Sequence, residues 1–292
     1  MSPHPRLSIN QATIKHASLR DAIDATVRQG VQSIGLWREP VAEAGLAESA
    51  RMLADSGLRF SSHCRGGFAT MTEGPERRAA LDDNRRAIDE TATLAAAGAE
   101  GSSASLIIVA GGIPEGSRDL AGARGRLEEA IAELAPEAHA AGVTLVLEPL
   151  HPMYTSDRAV LSTLKQALDL ADRVGSPAVG VVIDSFHVWW DPEAEEQIAR
   201  AGRAGRIASY QVCDWATPLP ADVLLSRHLP GAGVIDFAQL TAWVNAAGYS
   251  GDVEVEVFNA ELWAKGYDEA VSDTVAAFDA HVGTHLAVPV HG

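Results

Sequence analysis

The chain has 292 residues, 47% of them hydrophobic and 21% charged, the balance of a globular protein with a sizeable core. Its formal net charge of −16 argues against a nucleic-acid partner, because a phosphate-backbone binder usually carries a basic face. The two cysteines, Cys64 and Cys213, form no CxxC pair; the opening MSPHPRLSIN lacks a basic-then-apolar leader; and no apolar run approaches the ~18 residues of a membrane span, so a cytoplasmic protein without a disulfide framework is expected.

Strand-length apolar runs alternate with helical patterns along the whole chain. The runs are LSINQATI (7–14), SIGLW (33–37), LRFSSHC (58–64), LIIVAG (106–111), TLVLEP (144–149), VGVVIDSFH (179–187), IASYQVCD (207–214) and DVEVEVF (252–258). Between them lie LRDAIDATVRQG, AESARMLADSG, RRAIDETATLAAAGAE, LEEAIAELAPEAHAAG, LKQALDLADRVG, AEEQIARAGR, FAQLTAWVNAAG and, after the last run, AVSDTVAAFDAH. Several helical patterns stop at a glycine, Gly57 and Gly175 among them, and in most cases a strand follows within a few residues. Eight strand–helix units in about 250 residues predict a (β/α)8 TIM barrel, one domain over 1–292. A doubly wound open sheet would want a glycine-rich phosphate loop after its first strand, and NQATIKHASL is not one. The longer loops fall at 64–77, 149–162 and 213–235, on the βα side where this fold builds its active site.

Barrel strands are buried on both faces, so polar residues near their carboxyl ends need a reason. Glu148 ends the fifth run, Asp184 lies in the sixth with His187 three residues on, Gln211 and Asp214 lie in the seventh, and Glu254 and Glu256 in the eighth. The four strands are neighbours on the ring, so Glu148, Asp184, Gln211 and Glu256 can share one mouth. Glu256 is taken over Glu254 because it is nearer the strand end. Clustered carboxylates repel, and a divalent cation turns that repulsion into attraction. Oxygen donors with one amide favour Mn2+, with Mg2+, Co2+ or Zn2+ as the alternatives. Singly, each residue has a plainer reading: Glu148 as a solvated strand end, Asp184 as a helix cap, Gln211 as a core amide.

At these residues the chain resembles the xylose isomerase-like sugar isomerase/epimerase superfamily, which includes ketose 3-epimerases and inosose dehydratase. The matching pieces are LVLEPLHP, VVIDSFHVWWDP, SYQVCD, LPGAGVIDF and DVEVEVF. The resemblance implies a metal-dependent isomerase or epimerase of a keto-sugar working through an enediolate, with Glu148 and Glu256 as the proton-transfer pair and His187 on a substrate hydroxyl. Many epimerases place histidine where Gln211 stands. Glutamine there resembles the inosose dehydratase branch and keeps a second reading open, a lyase acting on an inosose or a 3-keto-glycoside by β-elimination. His151 is then the candidate acid for the leaving group, or else a loop histidine without a role. The histidine-rich endonuclease branch fits poorly, since neither VAGG at the fourth strand end nor the seventh strand has a histidine.

Arg227, His63 and Arg65 are candidate substrate contacts. Trp37 stacks on a sugar or fills core; Trp189 and Trp190 line the mouth or a subunit contact; Cys64 reads as a buried thiol. The expected partner is a small sugar or polyol, with no nucleic acid and no membrane, and a homo-oligomer (dimer or tetramer) is expected.

Overall fold

The structure, a computed structural model, describes residues 2–287. Its strands are β1 (Leu7–Asn10), β2 (Ser33–Trp37), β3 (Arg59–Gly67), β4 (Ser105–Val109), β5 (Thr144–Glu148), β6 (Val179–Asp184), β7 (Ile207–Val212), a ribbon of β8 (Asp214–Trp215) and β9 (Arg227–His228), and β10 (Val253–Val255). All but the ribbon pair in parallel and close into a barrel, in the ring order β1-β2-β3-β4-β5-β6-β7-β10 and back to β1. The predicted (β/α)8 barrel is therefore the observed fold. No helix among the described residues is long and apolar enough to cross a membrane.

The outer layer comprises α1 (Leu19–Arg28), α2 (Arg38–Ala44), α3 (Leu46–Ser56), α4 (Pro75–Ala97), α5 (Leu120–Ala140), α6 (Leu164–Val174), α7 (Ser185–Val188), α8 (Ala194–Arg203), α9 (Phe237–Ala246), α10 (Ala260–Trp263) and α11 (Tyr267–His281). Helix α6 shows why these segments coil. Leu164, Ala167, Leu168 and Ala171 recur at helical spacing and are all buried. The Thr163 hydroxyl accepts the Gln166 N–H at the start, and Gly175, at φ 68°, ends the helix in a left-handed turn.

A small inner cluster fixes which strand residues face the lumen. Cys64, Ile107, Val146 and Val182 pack together inside the barrel, with Trp37 and Ala208 against them. Side chains alternate along a strand, so Glu148, two residues beyond Val146, and Asp184, two beyond Val182, also face inward, above that layer. The same parity brings in Gln211, register partner of both Asp184 and Glu254.

Several predicted strands run too long at their carboxyl ends. Residues Gln11–Ile14 form a 3-10 turn rather than strand, with the Asn10 side chain accepting the Ala12 N–H. Ser185–His187 belong to α7, because Asp184 Oδ1 accepts the Phe186 N–H at 2.8 Å and starts a helix there. The loop expected at 64–77 is shorter: β3 continues to Gly67 and α4 begins at Pro75.

Candidate active site

Glu148, Asp184, His187, Arg227 and Glu256 converge at the carboxyl ends of the strands, each no more than 5% exposed. Trp37, Cys64, Arg65, Val109, Leu150, Tyr154, Arg158, Leu224 and Phe258 complete the wall of that mouth. The space between them is about 40 Å³. A larger cavity, about 400 Å³, opens at the opposite, amino-terminal end and borders neither Glu148 nor Glu256.

Arg227 is the hub of the charge arrangement. Its Nη1 donates to Glu256 Oε2 at 2.8 Å and to Asp184 Oδ2 at 3.3 Å. The guanidinium carbon lies 4.8 Å from the Phe186 ring centroid and 5.0 Å from that of Phe258. The ribbon strand β9 carries it there, and Asp214 holds the ribbon's loop: its carboxylate accepts the backbone N–H groups of Trp215, Gly231, Gly233 and Ile235. Asp214, singled out as a polar strand-end residue, is thus a loop organiser.

Burial dominates the electrostatics. It pushes the Glu148 carboxyl well above its ordinary range, and repulsion from Glu256 and Asp184 adds to that. Glu256 is pushed up to about 7, by burial first, with Arg227 pulling it back and Asp184 and Glu254 repelling it. Asp184 is raised by burial against the pull of Arg227. Three buried carboxylates share one guanidinium, so the cluster is short of positive charge.

Among the described residues, Glu148, Asp184 and His187 offer ligand atoms within 4.8 Å of one another, close enough to hold a metal ion. The imidazole is less suited than the oxygens. His187 Nδ1 accepts the His151 backbone N–H at 3.0 Å. Its Nε2 lies 3.1 Å from Arg227 Nη2, which only donates, so that nitrogen is already engaged by the guanidinium. Burial and the nearby Arg227 keep the ring neutral, well below its ordinary pKa. Gln211 offers a better donor: its Oε1 is buried and has no hydrogen-bond partner. Gln211 is the register partner of Asp184, and an unpartnered buried oxygen is a donor that suits a hard divalent cation.

Two expected contacts lie elsewhere. His63 is next to lumen-facing Cys64 and so points outward; its Nδ1 meets Thr91 Oγ1 of α4 at 3.0 Å, and its ring is fully buried. It cannot touch a substrate in the mouth. The His151 ring packs against Trp190 (5.4 Å between centroids) and Trp215 (4.9 Å), outside the mouth wall. Trp37 and Arg65 do line the mouth. Trp37 Nε1 donates to Asn10 Oδ1 at 2.8 Å, and Arg65 lies over the Phe68 ring at 4.4 Å. Trp189 and Trp190 are absent from that wall. Glu254 faces the lumen as Glu256 does, one residue pair deeper; depth rather than strand face separates them.

Sequence reading missed Tyr154 and Arg158, both in the wall. They sit on an irregular loop without periodicity, and the only available signal was their place in the long βα loop at 149–162. The Tyr154 hydroxyl is buried and unpartnered, and burial raises its pKa, so it stays protonated.

Comparison with known proteins bears on the family and the fold. The family described as xylose isomerase-like TIM barrel matches residues 23–276. L-ribulose 3-epimerase of Mesorhizobium japonicum is 29% identical over 57% of this chain and 50% of its own length. 3-Dehydroshikimate dehydratase of Pseudomonas putida is 37% identical over 34% of this chain and 16% of its own. The chain thus spans half or less of these curated relatives. Among solved structures, protein SMc04130 of Sinorhizobium meliloti 1021 superposes with a TM-score of 0.90 at 43% identity, over 95% of this chain and 98% of that one. The IolI protein with a bound zinc atom gives 0.81 at 20% identity, over 97% and 100%, a likeness of fold. The chain belongs to the xylose isomerase-like TIM barrel family.

Proposed function

We propose that the protein is a divalent-metal-dependent isomerase or epimerase of a keto-sugar, working through an enediolate. The observation that carries this reading is the buried convergence of Glu148, Asp184 and Glu256 at the active end of the barrel, with an unpartnered buried oxygen on Gln211, the register partner of Asp184. Those four residues would hold the cation, Mn2+ by the chemistry of the donors. When bound, the ion polarises the substrate carbonyl and makes the neighbouring C–H acidic. The zinc in the IolI structure and the epimerase relative support the same reading.

The chain's own groups supply the rest. Glu148 and Glu256, on opposite sides of the ring sector, take the α-proton and return it. Their raised pKa values in the metal-free cluster come from burial and mutual repulsion, which a bound cation would offset. Arg227, with His187 beside it, stands ready to bind the developing negative charge on oxygen. Trp37 and Phe258 offer an apolar wall for a sugar face.

A second reading, β-elimination from an inosose or 3-keto-glycoside, is favoured by Tyr154 and by the dehydratase relative. It needs an acid beside the leaving group, and the free phenol of Tyr154 fills that place better than His151.

The test is incubation of the Mn2+-loaded protein with ketoses and inososes in D2O, followed by mass spectrometry. The proposal expects solvent deuterium at the carbon next to the carbonyl, with mass otherwise unchanged for an epimerase and loss of water or aglycone for a lyase. No exchange with any keto-sugar or inosose would remove both readings.

A further inference from the structure

Glu254 is a buried carboxylate that the proposed chemistry does not use. It lies beneath the carboxylate cluster, 1% exposed, and every hydrogen-bond partner it has is a donor. Those donors are Asn10 Nδ2, the Ser61 hydroxyl, the Ser62 hydroxyl at 2.9 Å to both oxygens, and Gln211 Nε2 at 3.1 Å. Asn10 has no freedom to flip, because its Oδ1 already accepts from Ala12 N–H and Trp37 Nε1. The backbone is shaped around the carboxylate as well. A Cβ at Gly35 would come within 2.5 Å of Glu254 Oε2, so any side chain there would push the carboxylate off its donors. From below, Glu254 borders the cavity of about 400 Å³ lined by Ser61, Ser105 and Ser209, a polar surrounding for a charge.

An amide side chain has two ends of similar shape, one donating and one accepting. A carboxylate accepts only. With Glu254 beneath it, Gln211 must turn its NH2 downward, and its oxygen is the end left for the level of Asp184, its register partner. That oxygen is the buried orphan.

We propose that Glu254 is a positioning residue: it locks the Gln211 amide so that the carbonyl oxygen faces the Glu148–Asp184–Glu256 cluster and completes an all-oxygen cation site. A neutral residue at 254 lets the amide turn either way and present a donor to the ion. The inference rests on the metal reading above and deepens it.

The test is a double-mutant cycle read by calorimetric titration of the metal-free protein with Mn2+, alongside thermal melts of each apo variant. Glu254→Gln is expected to weaken Mn2+ binding by about 10- to 100-fold, the usual loss when a group that orients a ligand is removed. Gln211→Met is expected to weaken it similarly. Adding Glu254→Gln to Gln211→Met should then change affinity by less than about threefold, because the residue it acts through is gone. A full additional loss in the double variant, or wild-type affinity in Glu254→Gln, would overturn the inference. If Glu254→Gln does not fold, Glu254→Asp runs through the same cycle with the same criteria, since a shortened carboxylate no longer reaches the amide. Absence of Mn2+ binding by the wild-type protein would overturn the metal reading and this inference with it; binding by the wild type with an additive cycle overturns the inference alone.

Discussion

Arg227 shows how one residue can hold a site together before its ion arrives. It is the guanidinium between Asp184 and Glu256, and removing it leaves buried like charges facing one another. Arg227→Met is therefore expected to lower the stability of the metal-free protein by on the order of 3 kcal/mol, partly relieved by protonation of the raised carboxyls. Mn2+ should stabilise that variant more than the wild type, because the ion supplies the missing charge. Thermal melts of both proteins with and without Mn2+ measure this; an equal shift in both would contradict the role of internal counterion.

His63 carries a different residue-scale prediction. Burial, helped by Arg38, pushes its pKa down to about 3. In the unfolded chain it titrates near 6.5, so below that pH the unfolded state binds a proton that the folded state refuses. Its contribution is fully present above about pH 6.5 and is lost as pH falls from there toward 3. Between pH 7 and 5 the loss is about 2 kcal/mol by linkage. Urea unfolding at the two pH values should show a gap smaller by about that amount in His63→Asn than in the wild type. An unchanged gap would mean that the ring titrates freely.

At the scale of elements, the segment 213–235 brings Leu224 and Arg227 to the mouth and Asp214 ties it down. Asp214→Ala leaves the backbone N–H groups of Trp215, Gly231, Gly233 and Ile235 without their acceptor. The expected outcome is faster proteolytic cleavage between Ala216 and Ser226 with the barrel core still resistant, read by limited proteolysis and mass spectrometry. Cleavage at the wild-type rate would show that other contacts hold the loop. In α6, Leu168→Ala should cost about 2–5 kcal/mol by chemical denaturation, since Leu168 is buried in the core and its loss leaves a cavity.

Elements are also where the sequence was most and least legible. An apolar strand that ends in a carboxylate is a strong signal, and Glu148 and Asp184 stand at the ends of β5 and β6. Helices α6 and α8 follow their apolar spacing within a residue or so. Which face a residue presents was harder to read. His63 and Cys64 are adjacent in a polar-looking strand, and only the packing of Cys64 with Ile107, Val146 and Val182 shows that His63 turns to the helices. Arg227 and Tyr154 come from loops, where no period predicts direction. The coupling of Gln211 to Glu254 needs the register between β7 and β10, which no single strand contains.

For the whole molecule, the central claim is that the barrel gathers charge at one end for a divalent ion. Net charge of −16 over the chain adds a general attraction for cations, and the strand ends bring three buried carboxylates from separate units together. An ion bound there stabilises the fold by mass action, by about 2.7 kcal/mol at a hundred times its dissociation constant. The most direct test is elemental analysis of the purified protein after equilibration with Mn2+ and removal of free metal, for the wild type and for Glu148→Ala. The account predicts about one ion per chain in the wild type and a small fraction of that in the variant. No retained metal in the wild type, or equal retention in both, would contradict it.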